Sequence, residues 1–61
     1  MPAELATALA ADAAAQRAFT ALSPGHRREW AGWVAEAKRP ETRLRRAAST
    51  VEQLRTGARG R

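Results

Sequence analysis

The sequence predicts an all-α protein, a small bundle of three to four short helices with no sheet. Three observations point there. Sixteen of the 61 residues are Ala, the strongest helix former. The larger apolar residues recur at three- and four-residue spacing, the period of a helix face. β-branched residues are scarce, and none alternate with polar ones as a half-buried strand requires. A chain of this length is one small domain near the lower limit for folding without metal or disulfide. That domain is placed at residues 1–57, with 58–61 as a frayed basic tail.

The elements follow in order. Pro2 suits the first turn of a helix near 3–10, whose Leu5 and Leu9 face one way. Asp12 is a natural N-cap for a second helix near 13–22, with a stripe of Ala15, Ala18, Phe19 and Leu22. No Gly or Pro separates these two, and only the opposite phasing of their apolar faces argues for a bend rather than one helix. Ser23-Pro24 is the clearest punctuation: Ser caps and Pro occupies the first helical position of a third helix near 24–37. Its stripe is His26, Trp30, Trp33, Val34 and Ala37. Pro40 lacks an amide donor and pushes Arg39 to extended geometry, which ends that helix. Pro40 also starts a fourth helix near 40–56, expected to bury Leu44, Ala47, Val51 and Leu54. Gly57 fits the position just past its end. A core this small is marginal, so self-association or a partner is expected to help it.

Composition removes several functions. There is no Cys, so no disulfide, thiolate nucleophile or Cys-based zinc site. A single His makes no multi-ligand metal site by itself. No apolar run approaches the ~20 residues of a membrane span. Met1-Pro2-Ala3-Glu4 lacks the basic start of a signal peptide, so a cytoplasmic protein is expected. There is no Gly-rich phosphate loop and no triad, and a chain this small hardly encloses a substrate pocket. The reading is therefore non-enzymatic, with no cofactor, no metal and no small-molecule substrate.

Charge is uneven. Residues 1–23 hold Arg17 against Glu4 and Asp12. The remaining residues hold all ten other bases against Glu29, Glu36, Glu41 and Glu52, within an overall formal charge of +5. Such asymmetry favours a polyanion or an acidic protein surface as partner. Ten Arg to one Lys also fits the coding bias of a GC-rich genome. On a helical wheel Arg39, Arg43 and Arg46 fall together with Thr50 nearby, and Lys38 and Arg27 extend the patch. Arg forks suit phosphate oxygens; the same residues equally make a solvated face with intradomain ion pairs such as Glu41–Arg45. Arg43 borders the apolar seam and is placed to clamp Glu29 or Glu36. Trp33, at the edge of its stripe, is the aromatic most open to a partner or to a stacked base, while His26 reads as a packed or boundary histidine.

Residues Ser23-Pro24, Arg27-Arg28-Glu29-Trp30, Trp33, Ala37-Lys38, Glu41-Thr42-Arg43, Arg45-Arg46 and Leu54 together resemble the helical domain of the YdeI/OmpD-associated family, also labelled bacteriocin-protection proteins. Pro2, Leu5, Leu9, Ala14, Phe19 and Leu22 fit that family's N-terminal helices, so the likeness covers about residues 2–57. The Ala-Lys-x-x-Glu-Thr-Arg-x-Arg-Arg string is its specific part. The resemblance implies a small bacterial helical domain, carried by many relatives after a larger one, and a link to stress or antimicrobial resistance. It assigns no site.

Two functions stay open. The first is an interaction domain that binds a protein partner or self-associates. The second is nucleic-acid or other polyanion binding through the Arg face of the last helix. The residues singled out for either are Arg27, Lys38, Arg39, Arg43, Arg46 and Trp33.

Overall fold

The computed structural model describes all 61 residues. Four helices are present and no strand: α1 (Ala3–Ala10), α2 (Ala13–Ala21), α3 (Pro24–Ala35) and α4 (Pro40–Arg55). None is long and apolar enough to cross a membrane.

Local chemistry sets each boundary. The α1–α2 bend falls at Asp12, whose extended backbone breaks the helix and whose carboxylate accepts from the Ala15 amide at 3.0 Å. Ser23 does the same for α3, its hydroxyl accepting from the His26 amide at 3.1 Å. Each cap satisfies one of the amides a helix start leaves unpaired. α3 ends two residues before the expected position, because Pro40 forces Arg39 to φ −91°, ψ 140° and the chain must extend to reach it. At the end of α4, Gly57 takes φ 100°. Its amide donates to the Leu54 carbonyl, and the Ala58 amide reaches back to Gln53, the paired bonds of a Schellman stop.

α4 is the central element, in contact with each of the other three helices. The core joins Leu5 and Leu9 of α1, Ala15 and Phe19 of α2, Leu22, Trp30 and Val34, and Ala47, Val51 and Leu54 of α4. Thr50 is also fully buried; its hydroxyl is satisfied by the Arg46 carbonyl at 2.8 Å, one turn back.

Two expectations are corrected. The spacing of apolar residues places Leu44 in the seam of α4, yet it is 59% exposed. The inward line of α4 runs through Arg43, Ala47, Thr50 and Leu54, and Leu44 lies one step round from it. Short Ala and Thr side chains of α1 stand opposite and do not reach over it. The tail at 58–61, expected to fray, lies across α3: the Trp30 indole donates to the Arg59 carbonyl at 2.9 Å. Burial of Trp30 requires an acceptor for that N–H, and the tail supplies it.

Candidate functional site

The arginines singled out from the sequence do not form one open face. Three of them turn inward and close the ends of helices. Arg27, on α3, donates through Nη1 to the carbonyls of Thr20 and Leu22 at the end of α2. Arg43, on α4, donates to the Ala35 carbonyl at 2.8 Å and the Ala37 carbonyl at 3.3 Å. Arg46 donates to the Trp33 carbonyl at 2.7 Å and pairs with Glu36 at 3.3 Å. The last carbonyls of a helix are unpaired and carry its negative end, so a guanidinium there satisfies both hydrogen bonding and charge.

Arg43 also reaches the first helix. Its Nε lies 3.2 Å from Glu4 Oε2, with both side chains about one-quarter exposed. The expected partners Glu29 and Glu36 are not the ones used. One fork thus ties α1, the α3–α4 joint and α4 together, a task suited to a rigid guanidinium. The Glu4 carboxyl is held below the usual carboxylate range, first by its own main-chain amide at the α1 N-terminus and then by Arg43. Glu4 Oε1 itself is buried without a hydrogen-bond partner. Arg55 adds a further tie, 3.2 Å from the α2 cap Asp12.

Lys38 and Arg39, at the α3–α4 joint, are exposed, and neither side chain makes a hydrogen bond or ion pair. Glu41 and Arg45 make no ion pair with each other. Trp33 is half-buried and its ring is already attended by cations, with Arg46 at 5.1 Å and Arg61 at 3.6 Å from the centroid. Of the six residues singled out, the structure therefore joins Arg46 to Trp33, puts Arg43 beside them at the joint, sets Arg27 apart at the α2 end, and leaves Lys38 and Arg39 free.

The most open apolar feature lies elsewhere. Between α1 and α4 lies a shallow groove lined by Ala3, Glu4, Thr7, Ala8, Leu44, Ala47 and Ala48. Small side chains form its floor, and Leu44 stands at its side. Sequence reasoning missed this surface because Leu44 was read as core. The signal was present: a wheel centred on Ala47, Thr50 and Leu54 already places Arg43 nearer the middle than Leu44. A second depression runs beneath the tail, where Leu22, Ser23, His26, Ala58 and Arg59 meet. No three His, Asp or Glu side chains converge as a metal site would need.

The residues that carry these contacts include much of the string that resembled a known family, and that likeness holds. The chain belongs to the family described as bacteriocin-protection, YdeI or OmpD-associated, whose model matches residues 1–57. No curated protein and no solved structure matches the chain.

Proposed function

We propose that this member of the bacteriocin-protection, YdeI or OmpD-associated family is a non-enzymatic interaction domain that associates with itself through the α1–α4 groove. The observation that carries this reading is Leu44, a large apolar side chain 59% exposed beside a groove floored by small residues. A projecting Leu next to a shallow hole is self-complementary. In a two-fold pairing the Leu44 of each copy enters the groove of the other. Antiparallel α4 helices crossing at Leu44 would bring Glu41 of one copy toward Arg45 of the other. Ala8 and Ala48 allow the backbones to approach closely. The domain acts in the cytoplasm, and its assembly is the part it contributes to the bacteriocin protection for which its family is described, or to a stress response.

Polyanion binding is the weaker reading, because Arg27, Arg43 and Arg46 are already held by carbonyls and carboxylates. Of the cations singled out for phosphate, Lys38 and Arg39 are the two left free. Sedimentation equilibrium of the full chain and of Leu44→Arg separates the two. The proposal expects concentration-dependent association of the parent that the substitution abolishes. A monomer at every concentration would refute it. RNA binding that weakens steeply with salt and is lost in Lys38→Glu with Arg39→Glu would favour the polyanion reading.

A further inference from the structure

The C-terminal residues Arg59-Gly60-Arg61 do not merely rest on α3; each is recognised by a different kind of contact. The Arg59 carbonyl accepts from the indole N–H of Trp30 at 2.9 Å. Trp30 is 1% exposed, so this donor is directed at one point rather than shared with solvent. Gly60 is closely flanked by two side-chain ends, which a larger residue would have to push aside. A Cβ there would lie 2.7 Å from His26 Cδ2 and 2.8 Å from Glu29 Oε1. The Arg61 amide donates to Glu29 Oε1 at 3.1 Å. Its guanidinium lies 3.6 Å from the Trp33 ring centroid and 5.5 Å from that of Trp30. The two indoles meet edge to face, 6.1 Å apart at 72°, and so present a formed aromatic corner to the cation. A carbonyl, an absent side chain, an amide and a cation are thus read in succession.

We propose that the His26–Glu29–Trp30–Trp33 face of α3 is a binding site for arginine–glycine peptide, occupied in cis by this chain's own Arg59-Gly60-Arg61. All of these contacts go to carbonyl, amide and side-chain groups that any internal Arg-Gly-Arg segment carries. Glu29 is the acid that faces the bound strand. Arg46 shares the Trp33 ring, 5.1 Å from its centroid, and is held there by Glu36 and the Trp33 carbonyl. The cis segment follows α4 directly through the turn at Gly57, which keeps its effective concentration in the millimolar range. A peptide in trans must compete with that.

The test uses the full chain and follows the Trp30 indole N–H resonance. Gly60→Val crowds the His26 and Glu29 side chains that flank the tail, and Arg61→Glu removes the cation and repels Glu29 without adding bulk at Gly60. Both variants are expected to move the Trp30 resonance. Each is then titrated with a capped peptide Ala-Arg-Gly-Arg-Gly and with a control Ala-Arg-Val-Arg-Gly. The glycine peptide is expected to restore the parent resonance position, with an apparent affinity about tenfold tighter for the variants than for the parent chain, which competes in cis. The valine peptide is expected to have no effect. A Trp30 resonance that stays in place in both variants overturns the proposal. So does a resonance that moves but responds to neither peptide, or to both alike, because the tail is then only a covalent strap.

Discussion

Arg43 shows how one residue can mark a fold more than a chemistry. Its guanidinium bonds Glu4 and the carbonyls of Ala35 and Ala37. A lysine offers a point charge without the fork and cannot satisfy all three in this geometry. Arg43→Lys is expected to destabilise the bundle by about 1–3 kcal/mol, the range for partly buried hydrogen bonds to a charged group, measured by urea unfolding at neutral pH. Glu4 gives the same contact a pH dependence. Its carboxyl is lowered in the folded chain relative to its ordinary value of 4.5. A lowered acid binds its proton more readily in the unfolded state, so its stabilisation is full above that value and fades as pH falls through the folded value. The parent chain should lose stability on acidification below about pH 4.5, and Glu4→Gln should flatten part of that loss. An identical acid profile in the two proteins would remove Glu4 from the account. The position of Arg43 beside the apolar seam marks it as a clamp, but points to carboxylates on α3. The true partner is 39 residues away in sequence, and nothing local in the chain encodes that proximity.

At the scale of elements, what the sequence encodes locally was legible. Asp12, Ser23, Pro40 and Gly57 each act through their own backbone or the next turn, and each stands at a helix end as their chemistry requires. Asp12→Ala should cost about 1 kcal/mol for the lost cap, with any further loss reporting its ion pair to Arg55. The rotation of α4 was less legible. An apolar residue at the border of a stripe does not announce whether a neighbouring helix is long enough to cover it. Leu44 and Leu54 make the contrast measurable in dilute protein. Leu54→Ala, at 2% exposure, should cost about 2–5 kcal/mol through the cavity it leaves. Leu44→Ala should stay within about 0.5 kcal/mol. Comparable losses at both would mean that Leu44 is buried after all.

For the molecule as a whole, the basic half of the sequence acquires a different meaning. The charge asymmetry suggested an anion-binding face, but the bundle directs Arg27, Arg43 and Arg46 to the ends of its own helices. Charge counting cannot distinguish a guanidinium aimed at solvent from one aimed at a carbonyl. Four short helices with little apolar mass gain coherence from these cross-helix ties, and from the tail folded over Trp30. Besides exposed charges such as Arg28, Lys38, Arg39 and Arg45, an apolar knob and groove on α1 and α4 remain outward, apart from the tail site on α3. Self-association there has a salt signature opposite to that of nucleic-acid binding. Each copy carries a formal charge of +5, so screening lowers the repulsion between copies, whereas phosphate binding is weakened by salt. The most direct test is an amide NMR dilution series of the full chain at two salt concentrations. The account predicts concentration-dependent shifts at Thr7, Ala8, Leu44 and Ala48 that strengthen at the higher salt. A spectrum independent of concentration, or shifts confined to Lys38 and Arg39, would contradict it.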